Sequence, residues 1–467
     1  MKFRLTCVRL DSPEDVKAFY YDNQTGLLHD GRGDAIGEPR PSLLSYTPSF
    51  KANAAQNPIR KHDSPRVLKI QMGLSCNYSC DYCLQKYVPH ADEAGARLVP
   101  GFIEAIKTHL KGEPENIQLW GGEPLVYIRT LKPLVAELKR LYLNAKFTMI
   151  TNGSLLTRGI NDWIMDNNIG VSMSHDGPGQ KYRGPDPFDD PEKADAILDL
   201  YRRKKAAGDP MSVGAMIHAQ NPDRAAVAAW LREKFHDAEI NIGEGSVIQV
   251  YDEGAKQNSP KARSDHLQLR ETSFRNIRHR ADRNFSVSGL RMHEWLDTMQ
   301  HGRILDGLGM SCGMDEADTL TVDLMGNVLT CQNTSAASRA PNAEPHRAGS
   351  IKNLHAVEVK TSVHFMNRDR CHGCPVVQSC RGGCMFLTGD LFDASCDNAF
   401  TDHVPYFAAA VEALTGYVPV YIEDDAGRLP DERKDPFGYG KPAAPGKLEA
   451  GIIDFGAGAS AKRRFSR

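Results

Sequence analysis

Between residues 66 and about 245, short apolar runs alternate with segments whose apolar residues recur at helical spacing. The runs at 68–74 (LKIQMGL), 116–120 (NIQLW), 145–153 (AKFTMITNG), 169–177 (IGVSMSHDG), 211–218 (MSVGAMIH) and 239–245 (EINIGEG) read as strands. Between them, 101–112, 129–143, 156–168 and 191–208 read as helices. A further helix is expected after Asn221 as N-cap and Pro222 at its first position. Six such units in series predict a parallel sheet closed or partly closed into a barrel, with chemistry at the strand ends.

The flanks differ. Residues 1–65 predict a small β-rich unit (KFRLTCVRL, KAFYYDN) followed by a polar linker over roughly 51–65. The boundaries expected are 1–65, a barrel at 66–260, a helical connector at 261–310, a cysteine-rich domain at 311–402, and a helix with a mobile tail at 403–467. TLTVDLMGNVLTC (319–331) reads as a hairpin turning at Met325-Gly326-Asn327. From 372 to 398 the cysteines are too dense for ordinary elements, so metal is expected to hold the segment. HVPYFAAAVEALTGY (403–417) reads as a docking helix, and the tail from about 425 as mobile.

Composition narrows the class. At 41% hydrophobic, 25% charged and net charge −2, the chain fits a globular protein with no electrostatic footprint for nucleic acid or membrane. No apolar run is long enough to span a bilayer. MKFRLTCVRLDSPED lacks the apolar core of a secretory signal, so a reducing, cytoplasmic setting is expected. There, clustered cysteines point to metal rather than disulfides.

Three of the eleven cysteines, Cys76, Cys80 and Cys83, directly follow the first strand. Three thiolates leave one position of a cubane open, whereas a structural zinc site takes four ligands and is closed. A zinc site borrowing a distant ligand is the alternative. Gly121-Gly122-Glu123-Pro124 follows the second strand, offering close backbone approach and a carboxylate for an ammonium group. Thr151-Asn152-Gly153 ends the third strand and Ser174-His175-Asp176-Gly177 the fourth. Singly these are common turns; at successive strand ends they form one site.

CNYSCDYC followed by GGEP resembles the radical S-adenosylmethionine (SAM) superfamily. The resemblance implies that Cys76, Cys80 and Cys83 bind a 4Fe–4S cluster whose open iron chelates SAM. SAM would then be cleaved to a 5′-deoxyadenosyl radical that abstracts a substrate hydrogen. It further implies that Gly121, Gly122 and Glu123 contact the methionyl amine, that Tyr82 lies near the adenine, and that Ser174 faces ribose or carboxylate. Asn152 belongs to the same cofactor-binding set, and Arg183 serves the carboxylate. The later cysteines resemble the SPASM extension with its two auxiliary clusters, for three iron–sulfur clusters in all. Carried over, Cys312, Cys331 and Cys384 hold the first; Cys371, Cys374, Cys380 and Cys396 hold the second. A pair of zinc knuckles is the plainer reading, but seven ligands do not make two closed four-Cys sites. Three ligands leave the first auxiliary cluster a fourth position, open or filled by water, a nearby side chain, Cys7 or a substrate thiol. Cys7 itself reads as an ordinary buried thiol.

SPASM relatives mostly act on peptides or proteins, so the expected activity is oxidative cross-linking (thioether, ether or C–C) of a ribosomally made precursor peptide. The implied partners are a leader-bearing precursor, an external reductant such as flavodoxin or ferredoxin, and a separate leader-binding protein. Formylglycine formation is an alternative, as is dehydrogenation or epimerisation of a small molecule or cofactor precursor. Sulfatase-maturing relatives carry Asp after the hairpin cysteine; here Gln332 follows Cys331, and Gln does not accept a proton at neutral pH. Asp315, Glu316 and His218 are the candidate bases.

Overall fold

The computed structural model describes residues 1–43, 57–92, 95–246, 250 and 259–442. Its strands are β1 (Lys2–Arg9), β2 (Ser12–Asp22), β3 (Leu28–His29), β4 (Ile59–Arg60), β5 (Val67–Gln71), β6 (Asn116–Trp120), β7 (Lys146–Thr151), β8 (Ile169–Ser174), β9 (Ser212–Ile217), β10 (Ile242–Ser246), β11 (Thr319–Asp323), β12 (Asn327–Leu329), β13 (Arg347–Ser350), β14 (Glu358–Val359) and β15 (Val418–Asp424). The six expected barrel strands are β5–β10, pairing in parallel in the order β10-β9-β8-β7-β6-β5. With their intervening helices they make the partial α/β barrel.

Strand alternation explains how this sheet carries both a core and a site. Leu68 and Ile70, Ile117 and Leu119, Phe147 and Met149, and Val213 and Ala215 are buried, in one core with Ile103, Ile106, Leu134, Leu138, Ile197 and Leu231 of the covering helices. Each fully buried side chain of this kind contributes about 1.5–3 kcal/mol. The alternate positions Lys69, Gln118, Thr148, Ser172 and Ser212 are only half-buried. The barrel therefore has an apolar jacket and a polar interior.

The hairpin β11–β12 forms as expected around Gly326 at φ +79°, a value that favours glycine. In addition β11 lies parallel to β5, and β12 pairs with β13, so the cysteine-rich region continues the barrel sheet. Four expectations change. The N-terminal strands are not a unit by themselves: β1 lies between β2 and β15, so the sheet is completed from the other end of the chain. The docking helix runs over Gly389–Thr415, starting inside the segment expected to lack ordinary elements and carrying Cys396. Residues 425–442 are placed, with a short helix at Asp431–Lys434, while the tail beyond 442 and part of the 51–65 linker lie outside the described residues. Finally, the helix after β9 starts at Arg224 with Asp223 as its cap; Asn221 instead donates through Nδ2 to Asp176 O (3.0 Å) and Met216 O (3.2 Å). No helix among the described residues is long and apolar enough to cross a membrane.

Candidate functional site: a three-cysteine loop over the barrel

The loop after β5 carries Cys76, Cys80 and Cys83 across the C-terminal ends of the strands. All eleven cysteines are free thiols. Backbone amides point at two of the three sulfurs, Tyr78 N to Cys76 Sγ (3.3 Å) and Gln85 N to Cys83 Sγ (3.4 Å). Burial pushes the Cys80 thiol up to about 12, with Cys83 and Cys76 adding to the rise and Arg183 opposing it, so the three sulfurs and that cation share one electrostatic neighbourhood.

Glycine at 122 is required by close packing. A Cβ there would stand 2.3 Å from Leu74 O and 2.5 Å from Ser75 O, both backbone atoms of the cluster loop. The loop is also pinned to this turn by Gly122 N to Gly73 O (3.1 Å) and Glu123 N to Ser75 O (3.1 Å). The Glu123 carboxylate is buried and turned into its own turn. It accepts from Leu125 N (3.0 Å), Thr151 Oγ1 (2.8 Å) and Asn152 N (2.7 Å). Burial raises its pKa and these bonds oppose the rise. Glu123 therefore ties the ends of β6 and β7 together. Asn152 continues the chain of contacts, donating to Asn77 Oδ1 (2.9 Å) beside the first cysteine.

At the end of β8, the sequence pattern points to Ser174, which is half-buried. The organising residue is instead Asp176, which reads in the sequence as a turn former. Fully buried, Asp176 accepts from the Tyr82 hydroxyl of the cysteine loop, from Arg183 Nη2 (2.9 Å) and from Met216 N (2.9 Å). Arg183 lies over the Tyr82 ring at 5.5 Å, and Tyr82 stands 5.2 Å from the His218 ring. An aspartate next to a Gly, with Arg seven residues on, is the signal the sequence offers for this site.

Two buried polar atoms in this cluster have no hydrogen-bond partner: Arg183 Nε and His218 Nε2. Burial lowers the His218 pKa, so its ring is neutral and presents one nitrogen to the site. Three free thiols, a glycine cradle, an unsatisfied guanidinium nitrogen and an unsatisfied imidazole nitrogen fit a cluster with one open iron and a polar ligand bearing carboxylate and base groups.

The second cysteine set surrounds a different space. Cys371, Cys374, Cys380 and Cys396 line one pocket together with Gly382, Ser395 and Phe400. A Cβ on Gly382 would press to 2.5 Å from Phe365 Cβ. Burial, with the neighbouring thiols adding, pushes Cys380 up to about 12. Cys312 is likewise pushed up to about 11 by burial; Cys384 adds to the rise, and Lys69 opposes it. Lys69 lies in the field of both Cys312 and Cys331, and Cys384 in that of Cys312. Among the described residues no three His, Cys, Asp or Glu stand as close as the ligands of one ion. Cys7 is buried in β1 with its thiol directed at Leu5 O (3.7 Å), a packing role.

Of the candidate bases, Glu316 is exposed and paired with Arg66 (3.2 Å). Asp315 is half-buried, accepting from Met310 N (2.9 Å). His218 alone borders the three-cysteine site. Gln332 faces the barrel, where Lys69 Nζ donates to its Oε1 (3.2 Å) and Gln71 Nε2 to its backbone oxygen (2.8 Å).

Residues 70–226 match the family model described as the radical SAM superfamily. The chain contains a radical SAM domain. A curated relative, the radical SAM cyclopropyl synthase TigE of Paramaledivibacter caminithermalis, is 26% identical over 151 residues, 27% of this chain and 32% of that protein. The match thus spans about a third of that relative's length. Among solved structures, tagged anSMEcpe with bound AdoMet aligns with a TM-score of 0.52 at 18% identity, covering 75% of this chain and 98% of that one. Native anSMEcpe with bound AdoMet and the Cp18Cys peptide aligns at 0.50 with 16% identity, covering 75% and 99%. These likenesses establish a shared fold that extends beyond the radical SAM domain to three quarters of the chain.

Proposed function

We propose that the protein is a SPASM-type radical SAM enzyme that oxidatively cross-links a ribosomally made peptide. One observation carries the reading: the cysteine loop and the turn after Cys331 meet over the polar barrel interior. Gln85 of the loop donates to Gln332 O and Asn333 Oδ1 (each 3.4 Å), and the Ser335 hydroxyl donates to Pro89 O. A substrate entering the barrel would lie between the two cysteine sets, where hydrogen removal and electron withdrawal can act on one chain. When bound, SAM and its cluster supply a carbon-centred radical able to abstract hydrogen. Around them, Arg183 would hold the cofactor's carboxylate, Tyr82 and His218 its base, and Asp176 would fix Arg183 and Tyr82. Lys69 and Gln332 would face the substrate. The name of the cyclopropyl synthase relative favours C–C bond formation among the cross-links. Formylglycine formation is disfavoured because Gln332, engaged by Lys69, stands where those enzymes have a carboxylate.

A precursor peptide encoded beside this gene, incubated anaerobically with reductant and SAM, should lose about 2 Da per cross-link. Cleavage of SAM without any such loss, over all neighbouring small reading frames, would turn the assignment toward a small-molecule substrate.

A further inference from the structure

The four-thiol site is flanked by a residue of the C-terminal segment. Arg433, on the short helix Asp431–Lys434, is 4% exposed. Its Nη2 donates to Cys396 Sγ (3.2 Å) and to Asp397 Oδ1 (2.6 Å), its Nη1 reaches Cys374 Sγ (4.0 Å), and its guanidinium lies over the Phe400 ring at 4.9 Å. Asp397 also accepts from Arg370 Nη2 (3.0 Å), so one carboxylate is shared by two guanidinium groups. Arg368 is a third cation in the field of the same thiolates. The positive charges outnumber the carboxylates that offset them, and the nearest one donates directly to a ligand sulfur.

We propose that Arg433 is the positioning residue that sets the reduction potential of the cluster held by Cys371, Cys374, Cys380 and Cys396. This rests on reading those four as cluster ligands. Adding an electron to a cluster adds negative charge. A buried cation and a hydrogen bond to a ligand sulfur both stabilise that form and raise the potential. Asp397 works against Arg433, so the two residues tune in opposite directions.

The test is an EPR-monitored redox titration of the full reconstituted chain carrying Cys76→Ala, Cys80→Ala and Cys83→Ala, which leaves the auxiliary clusters. Arg433→Gln should move one midpoint to more negative values, Arg433→Lys should move it less, and Asp397→Asn should move the same midpoint to more positive values. The other auxiliary signal should stay in place. An unmoved midpoint in Arg433→Gln, or shifts of the same sign in Arg433→Gln and Asp397→Asn, overturns the inference. If Arg433→Gln fails to hold iron, Arg433→Lys and Asp397→Asn decide it by their opposed signs. A parent chain with no second auxiliary signal and iron near about four atoms would instead overturn the reading of the ligands.

Discussion

Replacing Asp176 by Ala tests whether one buried carboxylate organises the SAM site. The side chain is fully buried and holds Tyr82, Arg183 and Met216 N. Its loss leaves Arg183, with only 11% of its side chain exposed, beside no other carboxylate in ion-pair contact among the described residues. Breaking a buried pair by removing one partner costs about 3–5 kcal/mol, because the remaining charge stays desolvated. At about 1 °C per kcal/mol for a chain of this length, melting should fall by about 3–5 °C. The double variant Asp176→Ala with Arg183→Met should recover much of that loss, since removing both charges is often neutral. SAM affinity should still fall in the double variant, because the guanidinium is gone. Anaerobic calorimetry and equilibrium dialysis with labelled SAM measure the two effects. A melting change within about 2 °C for Asp176→Ala, or a double variant no more stable than the single, would refute the reasoning.

Gly122→Ala should displace the cysteine loop, since its Cβ meets backbone oxygens that cannot swing away. Overpacking of this kind costs about 1–3 kcal/mol, and SAM cleavage should drop by about 5- to 100-fold, while Gly159→Ala, which meets nothing within 4 Å, should leave cleavage unchanged. His346 is buried and its pKa is depressed to about 4 by desolvation. The unfolded chain binds a proton below about 6.5 and the folded chain does not, so this contribution is complete above pH 6.5 and declines as pH falls toward 4. The slope is about 1.4 kcal/mol per pH unit, and denaturant titrations of His346→Gln should show it reduced. Anaerobic reconstitution should give about eleven to twelve irons per chain, and Ala at Cys371, Cys374, Cys380 and Cys396 together should remove about four.

Much of the barrel is legible in the sequence because its strands obey a simple rule. Apolar residues at every second position of β5–β9 bury one face, and the turn-forming residues at their ends mark where the site must lie. Cys76, Cys80 and Cys83 are visible for the same reason, as a tight cluster directly after a strand. What periodicity does not encode is who meets whom across the chain. The pairing of β1 with β15 joins residues more than 400 positions apart, and β11 pairs with β5 across about 250 positions. Asp176 hides in a common turn sequence; only folding shows it sealed under Tyr82 and Arg183. Glu123 reads as a carboxylate pointing at a ligand, yet three donors of its own and the next strand's turn hold it inward. Arg433 sits in a segment whose Pro- and Gly-rich composition reads as mobile, although its buried guanidinium, with Leu429 and Phe437 in the core, docks that segment beside the thiols.

Release of 5′-deoxyadenosine by the anaerobically reconstituted chain, given SAM and a strong reductant, tests the central claim most directly. The unaltered chain should release it, and the variant with Ala at Cys76, Cys80 and Cys83 should release none while keeping the iron of its other cysteines. Equal release by that variant, or none by the unaltered chain at full iron content, would contradict the account.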